Sequence, residues 1–248
     1  MFPHKHFSNF NLLIVNQSES SFLSSEFDSV KVINCREKGL SKSRNKAIDN
    51  ACKKICLIAD DDVIFEENLR ESITLVFEEQ QNADIITFNH TRSGNFKPIK
   101  NRDNIFEHDR KSIWNVSSIE IAFRLEEIKK KELRFEENFG LGALFETAEE
   151  FLFLRAALDQ KLKVWSNPKV IVSHPEMSSG KMEGTDILIF SRAALFYKLY
   201  GVLAYGWLLK YVFFLIRKKN IRFSQAVKKY REGSKGIEKY KRLTHDKL

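Results

Sequence analysis

The stretch Ile55-Cys56-Leu57-Ile58-Ala59-Asp60-Asp61-Asp62 decides the fold, because a short apolar run ends in three consecutive carboxylates. A continuous apolar run with helical sequence before it predicts a buried strand over 55–59. In open α/β sheets ligands bind beyond the carboxyl ends of strands, so the acids stand where such a fold places its chemistry. Carboxylates suit Mg²⁺ or Mn²⁺, which bind them together with substrate phosphates. Taken alone, the cluster is equally compatible with an acidic turn that caps the next helix.

The bulk composition is that of an ordinary globular protein. Of 248 residues, 43% are apolar and 30% charged, and only 10 are glycine and 4 proline, which excludes a disordered or fibrous class. The three cysteines are odd in number and lack the spacing of a zinc site, so we expect a reducing cytosol. Cys52 and Cys56, four residues apart, are expected to be buried small side chains. The polar start of the chain argues against a secretory signal, and the sequence predicts a cytoplasmic protein.

The positive charge is concentrated at the C-terminal end of the chain. Residues 217–248 contain twelve Lys or Arg and three acidic residues, a net charge of +9, whereas the other 216 residues contain 29 basic and 30 acidic residues. A near-neutral body with a basic tail argues against a nucleic-acid-binding core and for a local electrostatic device. We therefore expect no nucleic-acid partner.

The spacing of apolar residues predicts alternating strands and helices. The predicted strands are 11–15, 30–34, 55–59, 84–88 and 164–172, and the predicted helices are 41–54, 68–80, 118–131 and 147–162. Ser41 is the predicted N-cap of the first helix, and Leu75 is expected on the core side of the second with Leu69, Ile73, Val76 and Phe77. The alternation predicts an α/β fold with parallel pairing of successive strands and right-handed crossovers.

The segment 187–216 is strongly apolar and aromatic but is interrupted by Arg192, Lys198 and Lys210. A membrane-spanning helix needs roughly 20 apolar residues, and a lysine near the bilayer centre is costly. The pattern therefore favours interfacial helices, with the basic run that follows bound to anionic lipid headgroups. Two alternatives stay open: one spanning helix, and a buried helix hairpin packed on the catalytic domain with a solvated basic face.

Four separated regions of the sequence are informative together through their order and spacing. They are Gly39–Ile48, Ile58–Val63, Phe139–Ala143 with Ala148–Leu154, and Lys161–Trp165 with Ile171–His174. From about residue 12 to about residue 180 the chain resembles the inverting glycosyltransferases of family 2, most closely the branch that builds bacterial surface polysaccharides. The resemblance implies the GT-A fold, a mixed sheet flanked by helices, here followed by C-terminal apolar and basic helices.

One departure from that family concerns the N-terminal end. The family opens with a strand and loop that form one wall of the nucleotide pocket, whereas residues 1–10 are too short and polar to supply them. We therefore expect the family's first strand to be missing. The predicted division is a catalytic domain over 1–182 and a helical, membrane-associating segment over 183–248.

The resemblance assigns the metal site to the acidic cluster, whose sequence is that family's DXD motif. Asp62 is the expected ligand of Mg²⁺ or Mn²⁺, Asp60 contributes to the ion or lies toward the ribose, and Asp61 serves either purpose. His174 corresponds to a histidine that completes the coordination in some relatives. The alternative for His174 is a loop histidine before a proline.

The resemblance also assigns the groups that bind the donor and activate the acceptor. Glu150 matches the catalytic base and Glu149 precedes it, although a Glu pair is favoured at any helix N-terminus. Asn16 stands where the family has an Asp that contacts the nucleobase, and an amide can also bond a base edge. Arg44 offers a planar donor fork, the alternative being a surface arginine. Donor-site backbone contacts are expected at Gly140 and Gly142.

Together these features predict a glycosyltransferase at the inner face of the cytoplasmic membrane. It would move a sugar from a UDP- or GDP-sugar to a lipid-linked glycan, with inversion and with a divalent metal ion. Two alternatives remain at this stage: a catalytically inactive relative, and a basic membrane- or RNA-binding protein.

Overall fold

The structure, a computed structural model, describes residues 1–3, 5–92, 103–174 and 183–245. The predicted domain boundary at 182/183 therefore falls at the edge of a stretch outside the described residues. The strands are β1 Leu12–Asn16, β2 Val30–Asn34, β3 Ile55–Leu57, β4 Ile64–Phe65, β5 Ile85–Arg92, β6 Phe106–Glu107, β7 Ile121–Arg124 and β8 Val164–His174. The α-helices are α1 Leu40–Asn50, α2 Leu69–Glu79, α3 Leu125–Lys130, α4 Glu149–Asp159, α5 Asp186–Tyr200, α6 Ala204–Arg217 and α7 Ala226–His245.

The described strands form two sheets. β1 and β2 make a parallel pair, and the larger sheet has the order β3-β7-β5-β8-β4, with β6 paired to β8. β5 and β8 are parallel, whereas β7 is antiparallel to both of its neighbours. This mixed sheet flanked by helices confirms the predicted fold class. The expected direct parallel pairing of successive strands is wrong for β3 and β5, because β7 lies between them.

The predicted helix over 118–131 is also wrong. Only Leu125–Lys130 is α-helical there, and it follows a 3-10 turn and the strand β7. Ile121, Ala122 and Phe123 are all buried, as expected for a central strand covered on both faces. Their burial in the sheet outweighs the helical spacing of the residues around them, because the local pattern does not reveal a neighbouring strand.

The described chain divides into two compact units. Residues 1–38, 42–136 and 150–174 belong to the first, which we call the sheet unit, and residues 39–41, 137–149 and 183–245 belong to the second, which we call the helical unit. The core of the sheet unit lies between α2 and the larger sheet, with Phe77, Ile86 and Phe88 almost fully buried. Leu75 is 49% exposed, so its expected core position is wrong.

The helical unit contains α5, α6 and α7. The Arg192 guanidinium lies over the Tyr211 ring, and Phe196 contacts both Tyr211 and Trp207, so α5 and α6 run antiparallel as a hairpin. The chain reverses at Gly201, whose φ is +57°. The stretch Asp186–Arg217 has the length and composition of a membrane span, but each helix of the hairpin is only about 22 Å long or less, too short for a hydrocarbon core of about 30 Å.

Helix α7 approaches α5 closely because it has glycine at the contact. A Cβ added to Gly236 would lie 2.1 Å from the Phe190 carbonyl oxygen. Farther along, Lys229 Nζ donates to Asp186 Oδ1 at 2.7 Å, and that hydrogen bond holds the pKa of the Asp186 carboxyl below its usual value. α7 is thus tied to the start of α5 by charge and to its first half by backbone contact.

Candidate active site

Asp60 is firmly held within the acidic cluster. Its Oδ1 accepts a hydrogen bond from Arg44 Nη2 at 3.2 Å, and its Oδ2 accepts one from Ser118 Oγ at 3.4 Å. The Arg44 side chain is only 7% exposed, so a buried cation relieves the repulsion among three adjacent carboxylates. Both oxygens of Asp60 thus have protein donors, which fix the orientation of this carboxylate.

Asp62 and His174 lie together where β8 ends. Asp61 and Asp62 are exposed in the turn between β3 and β4, and His174 Nε2 is 3.5 Å from Asp62 Oδ1. The antiparallel pairing of β4 with β8, in which Ile64 is opposite Ser173, brings the two side chains close. Asp62 is 56% and His174 23% exposed at the side chain, so both are open to a ligand.

This pair fits a divalent cation that also binds phosphate. Among the residues described, no three or more His, Cys, Asp or Glu side chains are grouped to hold a metal ion. The protein therefore offers the Asp62 carboxylate with the His174 nitrogen beside it, and phosphate oxygens of a substrate would fill the other positions. Mg²⁺ is usually bound in this manner, and carboxylate and phosphate oxygens suit Mn²⁺ equally.

Helix α1 carries Arg44 on a buried face, so the alternative of a surface arginine is wrong. The guanidinium carbon lies 5.4 Å from the centre of the Phe135 ring. The neighbouring Asn45 fixes the backbone of that residue, donating to the Phe135 carbonyl at 3.0 Å and accepting from its N–H at 2.8 Å. The helix therefore holds Arg44 in one orientation against Asp60.

Asn16, at the end of β1, organises a loop. Its Nδ2 donates to the Ser21 carbonyl and to Asn34 Oδ1, each at 2.7 Å, and its Oδ1 accepts from the Ser18 N–H at 3.1 Å. Asn34, at the end of β2, exchanges two hydrogen bonds with the Leu23 backbone. The pair of asparagines shapes the loop at the carboxyl ends of two parallel strands, and a base contact from Asn16 stays a prediction.

The glycine loop belongs to the helical unit. Gly140 and Gly142 have φ values of +106° and +74°, and a Cβ at Gly140 would lie 3.0 Å from Ser41 Oγ. Ser41 is not the predicted N-cap: α1 begins at Leu40, and the Ser41 hydroxyl donates to the Phe139 carbonyl at 2.6 Å. Leu40 N–H also donates to the Leu141 carbonyl at 2.9 Å, so the loop is closed on the start of α1.

The predicted catalytic pair opens α4. Glu149 is buried, and its Cβ would be 3.2 Å from a Cβ added to Gly140. Glu150 is half-buried. Ala148, the residue before the helix, has φ +62°, a left-handed conformation that costs a non-glycine residue about 1 kcal/mol. The close approach and the strained turn together fix the backbone from which the Glu149 and Glu150 side chains extend.

The structure brings some of the predicted site residues together and adds others. Asp60 and Asp62 meet Arg44 and His174 within the sheet unit, whereas Gly140, Gly142 and Glu149 belong to the helical unit. Sequence reasoning missed Ser118, which binds Asp60, and Asn34, which binds Asn16. Asn34 had a detectable signal, since it ends a predicted strand as Asn16 does. No sequence signal pointed to Ser118, because it lay in a predicted helix.

The model of the family "Glycosyl transferase family 2" matches residues 8–160. No curated protein matches the sequence significantly. Crystal structures of S. aureus TarS 1-349 are similar: one matches with a TM-score of 0.56 at 13% identity, over 91% of this chain and 72% of that one.

Two further TarS 1-349 structures contain ligands. The complex with UDP has a TM-score of 0.56 at 14% identity, over 92% of this chain and 72% of that chain. The complex with UDP-GlcNAc has a TM-score of 0.53 at 14% identity, over 88% of this chain and 76% of that chain. At this level of identity the likeness is one of fold.

Proposed function

Because the chain belongs to glycosyltransferase family 2 and is a glycosyltransferase, we propose that it transfers a sugar from a UDP-sugar to a lipid-linked glycan of the bacterial surface, with inversion. The observation that carries the proposal is the Asp62–His174 pair after β3, with Asp60 held beside it by Arg44. UDP is chosen over GDP because similar TarS structures contain UDP and UDP-GlcNAc.

In the proposed reaction the acceptor hydroxyl attacks the anomeric carbon of the donor sugar. A new carbon–oxygen bond forms on one face while the bond to the leaving diphosphate breaks on the other, which inverts the centre. Glu150 accepts the proton of the attacking hydroxyl, as a general base within hydrogen-bond reach must. Glu149, buried against the glycine loop, fixes the start of the helix that carries this base.

The leaving diphosphate develops negative charge, and the sheet unit has two means of stabilising it. A divalent ion held by Asp62 and His174 would neutralise the phosphate oxygens. Arg44 keeps its planar donor fork at the edge of the acidic cluster, where one nitrogen already binds Asp60. The expected backbone contacts of Gly140 and Gly142 with the donor stay a prediction.

A membrane location at the cytoplasmic face is part of the same proposal. A lipid-linked acceptor holds its glycan at the bilayer surface, so the transferase must work there. From 187 to 231 the chain has ten Lys or Arg and no Asp or Glu. Each basic residue near an anionic surface contributes about 1 kcal/mol of attraction, which supports peripheral binding.

Calorimetric titration of UDP and of GDP, with and without Mn²⁺, tests the donor site. We expect UDP to bind with Mn²⁺ and the affinity to fall about tenfold or more in Asp62→Asn, because the ion loses its carboxylate. Asp28→Asn, the same change at an exposed aspartate, should bind as the wild type does. Binding of GDP alone would reassign the donor.

Retention of Mn²⁺-dependent binding in Asp62→Asn would contradict the assignment of this residue as the ligand. If neither nucleotide binds the wild type, the donor proposal fails. Sugar transfer by the wild type to a lipid-linked acceptor, followed by determination of the anomeric configuration of the product, then tests the acceptor class and inversion.

A further inference from the structure

One face of α6 is apolar and exposed. Trp207, Leu209, Phe213 and Phe214 are 39%, 62%, 66% and 39% exposed, and Gly206, Lys210 and Arg217 lie among them. The opposite face packs into the core of the helical unit through Ala204, Leu208, Tyr211, Val212 and Leu215. With the exposed Val202 and Leu203 of the preceding turn, these residues form what we call the outer face of α6.

The segment that forms the outer face, residues 187–231, carries charges of one sign. Asp186 and Glu232 are the nearest acidic residues along the chain on either side of 187–231. Eight basic side chains of that segment are exposed: Lys198, Lys210, Arg217, Lys218, Lys219, Arg222, Lys228 and Arg231. Two acidic side chains contact α6, where Glu183 accepts from Tyr211 and Glu238 accepts from Tyr205. A surface that is apolar at its centre and predominantly positive at its edges is complementary to one that is apolar inside and negative at its rim.

The aromatic residues at the border have the geometry of an interface. The Lys210 ammonium lies 4.7 Å from the centre of the Trp207 ring, and Trp207 stacks on Tyr200 with ring centres 5.0 Å apart. Tryptophan and tyrosine prefer positions where one edge of the ring is wet and the other is apolar. Lysine beside them can extend its ammonium to water while its methylene chain lies along apolar surface.

We propose that the outer face of α6 docks on an anionic lipid bilayer, with the helix parallel to the membrane plane. Leu209 and Phe213 would enter the acyl boundary, and Arg217, Lys218 and Lys219 would bind the headgroups. A second copy of this chain is disfavoured as the occupant, because pairing two such faces would bring like charges together. Binding of RNA would account for the basic residues but would not account for an exposed apolar centre.

This inference names the surface by which the proposed function would reach its acceptor. It can be tested apart from that function, because vesicle binding needs neither donor nor acceptor. A failed donor titration would leave it intact, and a failed vesicle assay would leave the donor site intact.

Cosedimentation with vesicles tests the docking surface. The wild type should bind an equimolar mixture of phosphatidylcholine and phosphatidylglycerol, and weakly bind phosphatidylcholine alone. Leu209→Glu with Phe213→Glu should lower the partition coefficient about tenfold or more, since apolar burial is replaced by two like charges. Leu75→Glu, which changes a comparably exposed leucine on α2, is the matched control and should bind fully.

Two further readouts locate the contact. Tryptophan emission should shift to the blue when anionic vesicles are added, and the shift should be lost in Trp207→Phe. Changing Arg217, Lys218 and Lys219 to Gln should remove the preference for phosphatidylglycerol while circular dichroism shows an unchanged fold.

Three results would overturn the proposal: no binding by the wild type, full binding by the Leu209/Phe213 double variant, or an unshifted Trp207. Light scattering without vesicles tests whether a second copy of this chain binds the outer face of α6 instead. A dimer that the double variant converts to monomer would assign the outer face of α6 to a second copy and also overturn the proposal.

Discussion

At the scale of single residues, three identical carboxylates acquire different properties from their surroundings. Asp60 is held by a buried arginine and a serine hydroxyl, whereas Asp62 is exposed beside His174. Asp61, in the same turn, is exposed. Asp60 is therefore fixed in orientation by its donors, and Asp62 is accessible to solvent beside His174. Three identical acids in a row thus differ in their partners and in their exposure.

Substitution of the predicted base tests the roles within the Glu149–Glu150 pair. Glu150→Gln should lower kcat about 10²–10⁴-fold, the usual contribution of a general base, and leave UDP binding unchanged. Turnover kinetics and calorimetry on the same preparation measure both quantities. The amide keeps the size of the side chain, so a loss of structure is not expected.

The neighbouring variant Glu149→Gln is the matched control. Glu149 is buried beside the glycine loop. Its substitution should therefore lower the melting temperature and leave kcat largely unchanged. A larger loss of kcat in Glu149→Gln than in Glu150→Gln would exchange the two roles.

At the scale of elements, the helical unit depends on glycine in α7. Gly236 lets the Phe190 carbonyl of α5 come against the α7 backbone, and Gly233 makes room for Leu208 of α6. Glycine is unfavourable in a helix interior by about 1 kcal/mol relative to alanine. The close approach of three helices is what offsets that cost here.

Two glycine-to-alanine variants separate packing from helix propensity. Gly236→Ala should destabilise the helical unit by about 2 kcal/mol or more, because the added methyl would lie within 2.1 Å of a carbonyl oxygen. Gly206→Ala, in α6 with no atom near the added methyl, should stabilise by about 0.5–1 kcal/mol. Thermal and urea unfolding measure both, and equal effects would contradict the close packing of α5 and α7.

At the scale of the whole molecule, charge and chemistry are segregated along the chain. Residues 1–216 are near neutral and include the acidic cluster and the Glu pair, whereas residues 217–248 carry a net charge of +9. The basic residues of the C-terminal end are thus separated along the sequence from the acidic cluster. They also give the protein a sequence pI near 9.3.

Ligand-dependent stability tests the metal assignment for the molecule as a whole. At one hundred times its Kd, UDP with Mn²⁺ should add about 2.7 kcal/mol, which raises the melting temperature by roughly 5–10 °C for a chain of this size. A chelator should abolish this rise and leave the ligand-free protein unchanged, because the described residues offer only a pair of metal donors. A lower melting temperature on chelation alone would instead indicate a structural metal.

The sequence by itself determined the elements with a strong local pattern. β2 occupies the predicted residues 30–34, and the acidic cluster follows a strand as the apolar run before it indicates. The fold class follows from the same patterns, because strand and helix periodicities are properties of neighbouring residues. The ordered motifs from residue 39 to residue 174 were sufficient to identify the family.

Tertiary structure alone decided the order of the sheet and the partners at the site. β7 is a strand because a central position buries Ile121–Phe123 on both sides, which outweighs local spacing. Ser118 reaches Asp60, and His174 reaches Asp62, only because strands distant along the chain lie side by side. Such contacts depend on which surfaces are buried together, and burial is a property of the folded chain rather than of any one segment.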